Sequence, residues 1–222
     1  MNQFKIRCSA IGQIMTNGKG DKLSKTAQTY CDNWFKEQLY NRRKTVSTKY
    51  TEKGLICEDN SIDFVADYLK LGFILKNDKY FNNDYMTGTP DVIMNDTIID
   101  VKNSWDCFTF PLLDAKIDKN YYYQAQGYME LCNKENYKLI YVLSDTPKHL
   151  IEKEAYFYAK NNGDELDETL YNKFEKQMTY GDIADKYKIK VYDIKRNRDD
   201  AKAIKLRVGE CRIYIETLKQ SI

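Results

Sequence analysis

Histidine is almost missing from this sequence, with His149 the only one in 222 residues. Histidine-rich zinc sites and triads built on a critical histidine are therefore poorly supported, and hydrolytic chemistry would have to run on carboxylates, lysine and a hard metal. The six cysteines (Cys8, Cys31, Cys57, Cys107, Cys132 and Cys211) include no CxxC pair. That argues against zinc and iron–sulfur sites and for free thiols in a reducing compartment. No apolar run approaches the roughly 20 residues of a membrane span. The N-terminus, MNQFKIRCSA, lacks the apolar core of a signal peptide. A cytoplasmic location without membrane contact is expected. Proline occurs only at positions 90, 111 and 147, and there is no Pro/Gly/Ser-rich linker, internal repeat or low-complexity tract. Residues 1–222 are expected to form a single domain, long enough to bury a core.

Charge of one sign is also lacking. Thirty-five basic residues stand against 33 acidic ones, a net charge of +2, so global charge does not announce a polyanion partner. Two local clusters stand out: Arg42, Arg43, Lys44, Lys49 and Lys53, and then Lys195, Arg196, Arg198, Lys202, Lys205, Arg207 and Arg212. A solvated surface is the ordinary reading of each.

What is present is alternating α and β patterning. Residues 24–40 read as a helix with Ser24 as N-cap, and 52–71 as a second helix stopped by Gly72. Residues 79–86, 88–94 and 97–102 read as consecutive strands, 114–133 as a long helix and 136–144 as a buried strand. A weakly patterned helical stretch covers 148–180, a strand covers 188–196, and a basic helix covers 198–219. The sum is an α/β domain with a central mixed sheet flanked by helices.

The most informative stretch is GTPDVIMNDTIIDVKNSW, residues 88–105. Asn95-Asp96 suits a two-residue hairpin turn. That register places Asp91 opposite Asp100, with Lys102 on the same face as Asp100 and with Val92, Ile99 and Val101 on the other. Two opposed carboxylates repel, and a divalent cation with oxygen ligands reverses the penalty. Lys102 can then orient or activate a water and balance charge at a phosphate. The bland alternative is an exposed hairpin with three surface charges.

Two helices bear on the choice. In 52–71, Leu55, Glu58, Ile62, Val65, Ala66 and Leu69 share a face, which puts Glu58 in an apolar stripe where an unpaired carboxylate is costly. In 114–133, Ile117, Tyr121, Gln124, Tyr128 and Leu131 share a face. Gln124 and Tyr128 can address one site while Gln126 faces elsewhere.

Thr89-Pro90-Asp91 followed by Asp100-Val101-Lys102 resembles the signature of the PD-(D/E)XK nuclease superfamily, which has a restriction-endonuclease-like core. Lys53-Gly54 with Glu58 and Ile62 resembles the acidic helix of lambda-exonuclease-like, or YqaJ-type, viral recombinases. Tyr121 with Gln124-Ala125-Gln126 resembles their later helix, and Gln124 with Tyr128 fits the Gln-x-x-x-Tyr motif of RecB-like nucleases. Arg7 to Gly12 is similar to the segment whose serine, here Ser9, contacts a terminal phosphate. The likeness runs from about residue 5 to 144.

The resemblance implies that Asp91, Asp100 and the Val101 carbonyl bind Mg²⁺, or Mn²⁺ in its place, with Glu58 a further ligand, direct or through water. Lys102 would serve the nucleophilic water, and Gln124 would fix that lysine or the phosphate. Ser9, Arg7, Thr89 and Tyr128 would contact DNA together with Arg42, Arg43 and Lys44. The family more often has Glu in place of Asp100, and its phosphate-gripping arginine has no counterpart near Asn2, where Lys5 or Arg7 would have to substitute. The implied activity is 5′-to-3′ exonucleolysis from double-stranded ends in phage-type recombination, in the host cytoplasm if phage-encoded. A ring-shaped trimer and a single-strand annealing partner go with it. An endonuclease or nickase of the same superfamily, and a non-catalytic DNA-binding protein that retains the fold, are the alternatives.

Overall fold

The computed structural model describes residues 2–18, 22–45 and 47–221. Its elements run β1 (Ile6–Arg7), α1 (Ile11–Ile14), α2 (Lys25–Tyr40), α3 (Lys49–Tyr68), β2 (Phe81–Asn82), β3 (Met86–Gly88), β4 (Val92–Met94) and β5 (Thr97–Asn103). Then follow α4 (Lys119–Cys132), β6 (Asn136–Val142), α5 (Lys148–Asn162), α6 (Glu168–Met178), β7 (Ile189–Lys195) and α7 (Arg198–Gln220). The architecture is mixed α/β.

The expected strands do not all join one sheet. A small sheet has the order β1-β3-β2, and the main sheet has the order β4-β5-β6-β7. In the main sheet β5 and β6 are parallel and the flanking pairs antiparallel. The strands expected over 79–86 and 88–94 are shorter than the pattern suggested, because Pro90 separates β3 from β4 and Asp91 lies outside the ladder. The hairpin register is as expected: Met94 pairs with Thr97 and Val92 with Ile99, and Asn95 takes φ 50° in the turn.

Side-chain alternation gives the main sheet two buried faces. Ile98 of β5, Tyr137 and Leu139 of β6, and Tyr192 and Ile194 of β7 pack under Ala125, Tyr128 and Met129 of α4. An outer layer of α1, α2 and α7 covers α4. On the opposite face Val92, Ile99, Val101, Ile140, Val142 and Ile189 pack against Ile62 and Val65 of α3. The bland alternative of an exposed hairpin therefore fails on both faces.

Helix ends follow local chemistry. The Ser24 hydroxyl accepts from the Ala27 amide at 3.1 Å, as expected of an N-cap. Helix α3 starts earlier than the apolar pattern indicates, at a reciprocal box in which Thr48 Oγ1 accepts from Thr51 N and Thr51 Oγ1 accepts from Thr48 N. It ends before residue 71, where Lys70 and Gly72 take positive φ. Helix α4 begins five residues later than expected, at the Asp118 cap, whose carboxylate accepts from Asn120 N. The stretch 148–180 is two helices, α5 and α6, parted by Gly163 at φ 73° and restarted by the Asp167 cap.

The phase of α3 also differs from the expected one. Its buried positions are Lys53, Cys57, Ser61, Ile62, Val65 and Ala66, and Leu55 is 75% exposed. Lys53, expected on a basic surface, is fully buried. Its ammonium donates to the carbonyls of Trp105 and Ser144 at 2.9 and 2.7 Å, and to Thr146 Oγ1 at 3.0 Å. The first turns of α3 are thereby tied to chain that has just left β5 and β6.

Candidate active site

Strand β5 carries Asp100 and Lys102 on the face covered by α4, and Asp100 is 1% exposed. Gln124 Nε2 donates to Asp100 Oδ1 at 3.2 Å. Lys102 Nζ lies 2.7 Å from Asp100 Oδ2. Among the described residues, the Lys102 ammonium is the partner of the buried Asp100 Oδ2.

Asp91 stands at the strand end beside them. Its Oδ2 accepts the Val101 amide at 2.9 Å, in place of a strand partner that β4 is too short to supply. Burial first, and then the Asp100 charge, push its carboxyl up to about 7, against the opposing pull of Lys102 and the Val101 amide. For Lys102, burial disfavours the charge, but Asp100 and Asp91 outweigh it and hold the ammonium's pKa above the ordinary lysine range. Lys102 is thus a fixed cation near neutral pH, and it also lies 5.8 Å from the centre of the Tyr121 ring.

Gln124 and Tyr128 both address this region, as one turn of helix requires. The Tyr128 hydroxyl donates to the Thr89 carbonyl at 3.0 Å, which fixes the backbone just ahead of Asp91. Space there is tight: a methyl on Gly88 would meet the Tyr128 ring at 2.7 Å. Gln124 reaches Asp100, the carboxylate that pairs with Lys102, where the resemblance implied that it would fix Lys102 or the phosphate. Gln126 faces away and bridges the Lys195 carbonyl and the Asn197 amide at 2.9 and 2.8 Å.

Glu58 is placed differently from the expectation of an unpaired carboxylate. Lys76 reaches back to Glu58 and Asp59 at 2.9 and 3.0 Å. Helix α3 lies on the opposite face of β5 from Asp100, so Glu58 approaches from the Asp91 side, and its charge contributes to raising that carboxyl. Among the described residues no three His, Cys, Asp or Glu side chains are grouped to hold an ion by themselves. Two converging buried carboxylates still suit magnesium, which usually takes one or two carboxylates and keeps several waters.

Sequence reasoning missed Lys76 and Tyr137. The Tyr137 hydroxyl is buried beside Gln124, and its pKa is raised well above the ordinary value by burial and then by Asp100 and Asp91. Its signal was available: parallel pairing of Ile98 with Tyr137 puts the ring on the Asp100 face. Lys76 had none, because 17–18 residues of irregular chain and helix separate it from its partners.

The other expected contacts spread outward. Ser9 is exposed in a 3₁₀ turn, Cys8–Ala10, that packs on α4. Arg7, Arg42, Arg43 and Lys44 line one groove beside α2. The C-terminal basic cluster is largely neutralised: Arg196, Arg198, Lys202, Lys205 and Arg207 pair with Glu130, Glu135, Asp199 and Glu210. Lys195 donates to Asn136, and Arg212 to the Phe4 and Asp84 carbonyls. No helix among the described residues is long and apolar enough to cross a membrane.

No family model matches the sequence, and no curated protein matches it. Solved structures do match the fold. A phage-related exonuclease from Haemophilus somnus 129PT is similar at a TM-score of 0.82 and 24% identity, over 99% of this chain and 97% of that one. An alkaline exonuclease from Laribacter hongkongensis, also solved with dAMP, is similar at a TM-score of 0.65 and 14% identity, over 98% of this chain and 92% of that one. The chain has the fold of these two exonucleases.

Proposed function

We propose that this chain is a metal-dependent deoxyribonuclease that hydrolyses phosphodiester bonds from the ends of duplex DNA. The observation that carries the reading is the pair of buried carboxylates, Asp100 and Asp91, converging beside Lys102, whose ammonium lies 2.7 Å from Asp100 Oδ2. The fold shared with two exonucleases supports it.

Asp91, Asp100 and the Val101 carbonyl would hold Mg²⁺, with Mn²⁺ able to substitute, and Glu58 would join through water once Lys76 yields it. When bound, such a cation supplies Lewis acidity toward the phosphate. Gln124 keeps the Asp100 carboxylate in one orientation. Lys102 would orient the attacking water and offset negative charge developing on the phosphate. Tyr128 fixes the Thr89 carbonyl and so the approach to Asp91. Ser9, Arg7 and Thr89 would hold the terminal phosphate, and Arg42, Arg43 and Lys44 would track the backbone without reading sequence.

The same reading includes 5′-to-3′ polarity, a role in phage-type recombination in the cytoplasm, a trimer and an annealing partner. A chain of 26.2 kDa is too small to encircle a duplex alone, and cyclic symmetry is the usual route to a closed ring. The test is cleavage of linear and closed-circular duplex with Mg²⁺, Mn²⁺ or EDTA, with solution mass measured in parallel. Linear DNA should be consumed with either metal, circles should survive, and the mass should be about threefold that of the chain. Circles nicked as fast as linear DNA shortens, by a monomer, would favour the endonuclease alternative.

A further inference from the structure

The irregular chain between α3 and β2 returns alongside the carboxylate site. It reverses at Lys70 and Gly72, which take φ 54° and 71°. Two anchors then fix the backbone on either side of Lys76. Ile74 packs on the apolar layer between α3 and the main sheet. Asn77 donates its amide to the Asp91 carbonyl at 2.7 Å and its Nδ2 to the Pro90 carbonyl at 2.9 Å. The residue next to Lys76 is thus tied to the backbone of Asp91, which places Lys76 at the rim of the site.

Its side chain is held far less firmly. The ammonium lies 2.9 Å from Glu58 Oε2 and 3.0 Å from Asp59 Oδ1, and the Lys76 side chain is 45% exposed. Ion pairs this open to water are weak and screened by salt. Around the site four carboxylates, Glu58, Asp59, Asp91 and Asp100, face two ammonium groups, Lys76 and Lys102. Lys102 is committed to the buried Asp100, and its departure would strand that charge. Lys76 faces solvent and is the one able to change partners.

The nuclease reading asks Glu58 to serve a divalent cation, and the inference drawn next rests on that reading. Glu58 cannot do so and keep Lys76 as well, because an ammonium and a divalent cation on one carboxylate repel each other. Lys76 is then left with Asp59, an exposed carboxylate that holds it weakly, while the Asn77 contacts keep its backbone beside Asp91. A phosphate arriving at the carboxylates comes up against this rim. A compact cation on a flexible four-carbon stem suits such a partner.

We infer that Lys76 is a substrate-binding residue that exchanges partners: it pairs with Glu58 and Asp59 in the metal-free chain, and with a phosphate of the bound strand once Glu58 is occupied. The two states have effects of opposite sign. In the first, Lys76 competes for Glu58 and weakens cation binding. In the second, it strengthens DNA binding. An ordinary surface ion pair does neither, and a plain phosphate contact does only the second.

The test uses the full chain with Lys76→Met, which keeps the stem and removes the charge, and Lys76→Arg, which keeps the charge. The Mg²⁺ concentration giving half of the maximal Tm rise should fall by about threefold or more in Lys76→Met and stay near wild type in Lys76→Arg. In a Glu58→Gln chain Lys76→Met should leave it unchanged, since the competition is gone. Binding of a labelled blunt duplex is read by fluorescence anisotropy in Ca²⁺, a hard cation that takes the same oxygen ligands. There Lys76→Met should weaken binding by about fivefold or more and Lys76→Arg should retain it, whereas in EDTA all three chains should bind alike. Equal or weaker Mg²⁺ binding in Lys76→Met would overturn the inference, as would a loss of DNA affinity that is the same in EDTA and in Ca²⁺. Cleavage of linear duplex by the wild-type chain with Mg²⁺ is scored separately. Cleavage without the Lys76 effects sinks only this inference, and the Lys76 effects without cleavage sink only the nuclease reading.

Discussion

Lys53 offers the sharpest quantitative test. Burial lowers its pKa from the ordinary 10.5 to about 8, partly countered by Cys57, Asp145 and Asp106. An unfolded chain binds this proton up to about pH 10.5 and the folded one only up to about 8, so the ionised lysine costs stability below pH 8. That cost is removed as pH rises toward 10.5. At about 1.4 kcal/mol per pH unit, the interval is worth about 3 kcal/mol. Lys53→Met keeps the volume but leaves the Trp105 and Ser144 carbonyls without a donor. At pH 7 the variant should be less stable by on the order of 2 kcal/mol. Urea unfolding followed by circular dichroism from pH 7 to 10.5 should then show wild type gaining on the variant by up to about 3 kcal/mol. Tyrosines and the other cysteines are common to both proteins and cancel in the difference, and Cys57, which couples to Lys53, is replaced by serine in both. A gap that stays constant, or narrows, would refute the reasoning.

Asp100→Asn and Lys102→Ala should each remove detectable cleavage while circular dichroism still reports a folded chain; full activity in either purified variant would sink the site. Because the folded-state pKa of Asp91 is raised to about 7, its ionisation destabilises the metal-free protein above pH 7, and the cost disappears as pH falls below the unfolded value of 3.8. Asp91→Asn should thus raise the metal-free Tm at pH 8 by a few degrees, at roughly 2–4 °C per kcal/mol; it should also shrink the Mg²⁺-induced Tm shift, which in wild type should be larger at pH 8 than at pH 6. Gln124→Ala should lower turnover far more than Gln126→Ala, whose damage should appear in Tm because it frees two backbone groups; equal turnover losses would contradict the geometry. Gly88→Ala should destabilise by about 1–3 kcal/mol through the Tyr128 ring, and an unchanged Tm would show that the ring moves freely.

What the sequence disclosed was whatever rests on near neighbours. The Asn95-Asp96 turn sets its own register, and the period-2 pattern then placed Asp100 and Lys102 on one face. The 3.6 period brought Gln124 and Tyr128 together and turned Gln126 away. Errors arose where distant chain decided. Lys53 sits in a run of charged and polar residues and reads as surface, but its three acceptors are 52–93 residues away. Leu55 fits an apolar stripe by spacing, whereas the phase of α3 is set by Cys57 and Ser61 lying over the strand ends. Pairing in the C-terminal cluster depends on Glu130 and Glu135, which are sequentially remote and spatially adjacent. The later start of α4 shows a cap, Asp118, overriding apolar residues before it.

The Asp91 carboxylate that closes the Val101 amide serves two masters. One of its oxygens completes the sheet where β4 runs out, so folding alone requires an acceptor at this position whether or not the chain turns over substrate. Asp91→Ala is then an ambiguous experiment, since lost activity would mix a missing ligand with a frayed strand, and the asparagine form is the clean comparison. The same duality affects how relatives should be sorted. A chain of this fold that has given up hydrolysis can be expected to keep Asp or Asn here for architectural reasons, so an acidic residue at 91 is weak testimony to activity. Asp100 and Lys102, whose charges no backbone group requires, are the positions at which a retired enzyme would first show its retirement.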